Sequence, residues 1–189
     1  MRNLLSGFLL APLLALILVL TLAVVPRPAM AQADRLDDLF LQLKQAGDSN
    51  WEALEEEIWA LWSSSGSAAM DLLLERGRKA LQDDDIEAAL EHFSALTDHA
   101  PDFAESWNAR ATAYYHLGEH GLALADIARA LALEPRHFAA ISGLAIIFED
   151  LGDPTRALEA YRHALAIHPQ NPDIKEAVAR LENAGAQDI

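Results

Sequence analysis

The stretch AESWNARATAYYHLGEHGLALADIARALALEPRH, residues 104–137, decides how the chain folds. One apolar stripe runs through Trp107, Ala111 and Tyr114, a second through Ala123, Ile127 and Ala130, and Gly118 divides them. Apolar residues recurring every three or four positions mark amphipathic helices. Pro135 closes the second stripe, because proline lacks the backbone N–H and its ring clashes with the preceding helical turn. The alternating pattern of a half-buried strand appears nowhere in the chain. The stretch is a helix–turn–helix unit with more apolar face than it can bury alone.

Working outward, the same unit recurs. Pro101, Pro135 and Pro169 stand 34 residues apart, and so do the turn residues Asp84, Gly118 and Gly152. Five further columns keep that register: Leu73, Trp107 and Ile141; Gly77, Ala111 and Ala145; Ala80, Tyr114 and Phe148; Ala89, Ala123 and Ala157; and Phe93, Ile127 and Tyr161, while the prolines close the segments DHAP, ALEP and AIHP. A fixed period of this length marks a stacked repeat architecture. The small residues let the two helices of a pair approach, and the bulky residue one turn later fills the space beside them.

This pattern resembles the tetratricopeptide repeat (TPR) family, whose signature spans 34 residues and ends on proline. Trp107, Tyr114, Ala123, Ala130 and Pro135 fall in their expected slots. Arg76 and Arg110 depart from it, standing where the signature has Leu, whereas Leu144 conforms. The resemblance implies an all-α TPR solenoid, a right-handed superhelix of antiparallel helix pairs. Its three repeats are 70–103, 104–137 and 138–171, within a repeat region 68–171, with capping helices at both ends.

The flanks fit that frame. Asn171 and Pro172 read as an N-cap and first helical residue. Ile174, Val178 and Leu181 then line one face of a terminal helix in 172–189, whose tail AGAQDI is expected to fray. Upstream, Leu36, Leu39, Phe40 and Leu43 recur at helical spacing, and Ser49 with Glu52 reads as a capping box. The following WEALEEEIWALW, residues 51–62, aligns Trp51 with Ile86, Leu54 with Ala89, Ile58 with Phe93 and Leu61 with Leu96. Residues 32–67 are therefore expected to form a divergent helical pair ahead of the first repeat, joined to it by SSSGS. Trp51 and Trp62 fall on the apolar stripe. Trp59 lies about 100° away from it and is expected to be partly exposed, as a contact patch for a partner or a second copy.

Residues 1–31 read as a cleaved secretory signal: Arg2, an apolar run from Phe8 to Val25, and a small-x-small site at Ala29 and Ala31. The expected location is the bacterial periplasm or outside the cell. An uncleaved segment would instead anchor the chain in the inner membrane, facing the periplasm. Removing Arg2 and Arg27 takes the formal charge from −15 to −17. Such an acidic chain lacks the basic surface that nucleic acid or anionic lipid requires. With no cysteine, stability rests on packing.

His116, Glu119 and His120 spell H-x-x-E-H, a zinc-peptidase pattern that needs one continuous helix. Gly118 sits at the turn between two helices, which breaks that spacing, so a zinc hydrolase is the lesser alternative. The other histidines fall near helix ends or on outer faces, where solvated or capping roles are expected. No catalytic, metal or cofactor site is expected. In TPR proteins the first helix of each pair lines a concave groove. Carried onto this chain, the resemblance nominates Leu74, Arg78, Leu81 and Gln82, then Asn108, Thr112, Tyr115 and His116, then Ser142, Ile146, Glu149 and Asp150. Periodicity alone leaves Leu74, Leu81 and Ile146 equally readable as core. Some family members hold peptide carboxylates with a Lys/Asn/Arg clamp. Here Leu74, Ala109, Ala139 and Gly143 stand in those slots. A protein or peptide partner in the groove is the expected function, with Trp59 as a further contact and Arg76 and Arg110 packed structurally.

Overall fold

The computed structural model describes residues 27–47 and 50–187. The apolar run of the expected signal and Ser49 of the expected capping box lie outside the described residues. The described helices are α1 (Arg27–Gln45), α2 (Trp51–Trp62), α3 (Ala68–Gln82), α4 (Ile86–His99), α5 (Ala104–His116), α6 (His120–Leu133), α7 (Phe138–Asp150), α8 (Pro154–Ile167) and α9 (Pro172–Gln187). No strand occurs among the described residues. Contacts separate Met1–Arg35 from a compact unit, Leu36–Ile189, that carries the repeats.

Local chemistry sets the helix ends. Asp85, Asp153 and Asn171 each accept a backbone N–H from the first turn of the following helix, at Ala88, Arg156 and Ile174 respectively. Such a cap contributes about 1 kcal/mol. The turn residues Asp84, Gly118 and Gly152 all sit in the left-handed region, with φ of 60°, 73° and 74°. That conformation suits glycine, and aspartate tolerates it.

Within each pair the small columns are buried to near completion. Ala89, Ala123 and Ala157 have no exposed surface, and Phe93, Ile127 and Tyr161 fill the space beside them. Gly77 lies under the Phe93 ring so closely that a Cβ there would collide with it. Pairs α3–α4, α5–α6 and α7–α8 stack in chain order, and α9 packs on α8. The first helices also meet one another, α3 with α5 and α5 with α7, so they form one continuous face.

Arg110 packs as expected: it donates to both Asp126 oxygens and to Thr97, with its guanidinium over the Trp107 ring at 4.9 Å. Arg76 is exposed instead. α9 buries Ile174, Val178 and Leu181 and runs to Gln187.

The largest departure concerns α1 and α2. They do not stack on the first repeat. Leu36, Leu39, Phe40, Leu43, Ile58 and Trp62 share a core with α7, α8 and α9, through Phe138, Tyr161 and Ile174 among others. The core of the first repeat, around Leu74 and Phe93, is a separate cluster. Tying contacts run the same way: Arg136 donates to Asp37 at 2.6 Å and covers the Phe40 ring at 4.4 Å, and Gln170 donates to the Ala46 carbonyl. The physical reason is aromatic complementarity: the stripe of α2 meets Phe138, His137 and His168 at the ends of α7 and α8, through Trp62 and Trp51. Among the described residues no helix is long and apolar enough to cross a membrane.

Candidate functional site

The starts of α5, α7 and α9 form the rim on which α2 rests. His137, the N-cap of α7, has no exposed surface and stacks on Trp62 at 4.0 Å with the rings 8° from parallel. Its Nδ1 accepts the Ala140 N–H, so its proton sits on Nε2 and is donated to Glu105 Oε2 at 2.9 Å. Glu105 is 3 % exposed and also accepts from Arg78 and Asn108. Burial pushes its carboxyl up, but the hydrogen bond from His137 and the Arg78 charge outweigh that and hold it below the usual carboxylate range. Arg78 reaches on to the Ser63 hydroxyl just beyond α2. His137, Glu105 and Arg78 thus connect α2 to three helices.

A second histidine works further along. His168, the C-cap of α8, is fully buried, and Trp51 and Phe138 meet it edge-on at 5.4 and 5.1 Å. Its Nε2 lies 3.3 Å from Glu55 Oε2, off the line of a hydrogen bond. Contact with His168 keeps the Glu55 carboxyl below its ordinary value, against the effect of burial. Both histidines were expected in solvent or as simple caps. Their burial follows from the docking of α2, which the repeat columns do not encode.

α2 does not fill the face it covers. Between it and the inner helices lies a cleft of 490 Å³, within the ordinary range for ligand sites. Trp59, Asn108, Thr112, Tyr115, His116, Ser142 and Ile146 of the nominated residues line it. Glu55, Phe138, Tyr161, Asp173 and Ile174 are also part of the wall, and sequence reasoning missed these five. Trp59 is half-buried and has a packing role the register did not give it: it meets Trp62, His137 and Phe138 edge-on.

Three nominated residues are placed differently. Leu74 is 1 % exposed and belongs to the core, so it offers a partner no surface. Arg78 is committed to Glu105 and Ser63, beside a neighbouring hollow bounded by Trp59 and Asn108. Glu149 accepts from Tyr161 and from both Arg180 amino groups, which keeps its carboxyl low and binds α7 to α8 and α9. At the far end, a hydrogen bond to Asp150 and partial burial raise the Tyr115 phenol, whose ring stacks on His120 at 5.8 Å.

The H-x-x-E-H residues do not share a helix. His116 ends α5, Gly118 turns with φ of 73°, and His120 begins α6. Among the described residues no group of three or more His, Cys, Asp or Glu is arranged to hold a metal ion.

Helix pairs of this length, with a small-residue seam and a face built from first helices, invite comparison with known repeat proteins. A family model for tetratricopeptide repeats matches residues 74–131 and 120–172. The chain belongs to the tetratricopeptide repeat family. A TPR repeat-containing protein of Rhizobium etli is 38 % identical over 148 residues, covering 78 % of this chain and 72 % of the relative. The small glutamine-rich tetratricopeptide repeat-containing protein 2 of Saccharomyces cerevisiae is 32 % identical over 103 residues, 54 % of this chain and 30 % of its own length. Among solved structures, the Sgt2 TPR domain from Aspergillus fumigatus superposes with a TM-score of 0.60 at 22 % identity, over 65 % of this chain and 82 % of that one. The first TPR of Spaghetti (RPAP3), bound to an HSP90 peptide, gives 0.58 at 23 % identity, over 62 % and 93 %. Such likeness establishes the TPR fold, and TPR domains are protein-interaction modules.

Proposed function

We propose that the chain is a non-enzymatic scaffold or assembly factor that holds a partner protein in the cleft between α2 and its inner helices. The observation that carries this reading is the cleft's composition. Its floor is apolar, through Ile146, Ile147 and Ile174, and a few polar side chains sit around it. That combination suits a peptide segment with apolar anchors. His137, Glu105 and Arg78 beside the cleft are spent on holding α2, which argues for binding over catalysis.

Tyr115 and Ile146 line the cleft and are partly or wholly exposed, Tyr115 resting on the edge of the core. Crosslinking and pull-down should capture a partner with the native chain and lose it with Tyr115→Ala combined with Ile146→Asp, at unchanged helicity. Equal capture by both would overturn the reading. The same proposal places the chain outside the cytoplasm with residues 1–31 removed. N-terminal sequencing of the exported protein tests this, and a chain still beginning at Met1 would favour membrane anchoring.

A further inference from the structure

The cleft's hydrogen-bonding groups are asymmetric in a way that selects the charge of what enters. Thr112 donates its hydroxyl to the Asn108 carbonyl, Ser142 to the Phe138 carbonyl, and Trp59 its indole N–H to Glu55. Asn108 donates to Glu105, and the phenols of Tyr161 and Tyr115 are turned toward Glu149 and Asp150. These donors are spent inside the protein; the exceptions in the lining are the second Asn108 N–H, the Asn171 amide and the exposed His116 ring. What faces the cleft from the same groups is their acceptor side: hydroxyl lone pairs, the Glu55 carboxylate and, at the exposed first turn of α9, Asp173.

None of the described lining residues is Lys or Arg. The phenols, with their hydroxyls engaged, contribute rings, and Trp59 and Phe138 add two more aromatic surfaces to the wall. Aromatic faces attract cations through their quadrupole, more strongly where water is excluded. An anion entering here would lose its hydration and find few free donors, whereas a cation finds carboxylates, lone pairs and π faces. The polarity is opposite to that of a carboxylate clamp, whose slots hold Leu74, Ala109, Ala139 and Gly143.

We infer that the cleft takes a Lys or Arg side chain presented on an apolar segment of the partner. This rests on the reading of the cleft as the partner site and adds the partner's chemistry. The chain's formal charge of −15 draws such a segment in from a distance.

A random dodecapeptide library displayed on phage and selected against the full chain tests the inference. Recovered peptides should be enriched in Lys or Arg flanked by apolar residues. In the best of them, replacing that residue by norleucine should weaken binding about tenfold. Asp173→Lys, at an exposed site that leaves the fold alone, should weaken it five- to tenfold, a typical scale for losing one charge partner at a partly screened site. Glu55→Gln should act in the same direction while keeping an acceptor for Trp59. Enrichment of Asp, Glu or free C-terminal carboxylates, indifference to Asp173→Lys, or a library without any recovered binder would overturn the inference. Uncharged peptides whose binding is abolished by Tyr115→Ala with Ile146→Asp would overturn the cationic partner while leaving the cleft as the site. Binding indifferent to those changes would overturn both.

Discussion

Glu105→Gln removes one charge from a carboxylate that is 3 % exposed and on which three donors converge. Glutamine keeps one acceptor oxygen and replaces the other by an amino group facing His137 or Arg78. A hydrogen bond to a charged partner contributes about 1.5–3 kcal/mol, against about 0.5–1.5 for a neutral pair. The contribution of Arg78 is discounted because its side chain is 35 % exposed and rehydrates in part. His137 has no such escape. The expected loss is about 2–3 kcal/mol in urea unfolding at pH 7. The sign of the pH dependence follows from the lowered Glu105 pKa. As pH falls below the ordinary glutamate value of about 4.3, the unfolded chain binds a proton before the folded one does, and this contribution drains away. The stability gap between native and variant should therefore narrow between pH 7 and pH 3. A loss under about 0.5 kcal/mol, or a gap that stays constant with pH, would refute the claim that this carboxylate joins α3, α5 and α7.

Other perturbations probe separate links. Gly77→Ala should destabilise by about 1–2 kcal/mol, although alanine is the better helix former, because the buried Phe93 ring must move; a gain in melting temperature would count against that packing. Gly118→Ala should cost about 1–2 kcal/mol, because its φ of 73° suits only glycine without strain; thermal unfolding measures it, and no change would contradict the turn geometry. Trp62→Ala unstacks His137 and empties the contact under α2. It should lower the protection of amides 51–62 by about a hundredfold in hydrogen exchange while α5 and α6 stay protected, in line with about 3 kcal/mol for such a truncation. Unaltered exchange in α2 would mean that Trp62 does not hold it.

The repeats were legible because every column of the period is a local requirement: a left-handed turn at Gly118, a small residue at Ala123, a stop at Pro135. Asn171 capped α9 for the same local reason. Where α1 and α2 dock is not local. Their apolar stripe said which side of each helix is buried, and Ile58 and Trp62 are indeed buried, but a stripe does not name its partner. Trp59 is partly exposed as expected, but its packing on Trp62, His137 and Phe138 was out of reach, since the alignment to Phe93's helix assumed stacking in chain order. His137 and His168 cap helix ends as their positions suggested, but their burial under the indoles depends on where α2 docks. Six of the nineteen cleft-lining residues come from α2, α8 and α9, elements the groove rule leaves out.

The central claim is that a partner binds in the cleft with α2 as one wall. Two-dimensional NMR of the chain, titrated with its crosslinked partner or a selected peptide, tests it most directly. The account predicts shifts concentrated at the Trp59 indole and at the amides of Asn108, Thr112, Tyr115, Ile146 and Asp173. Shifts confined to α4 and α6, with the Trp59 indole unmoved, would contradict it.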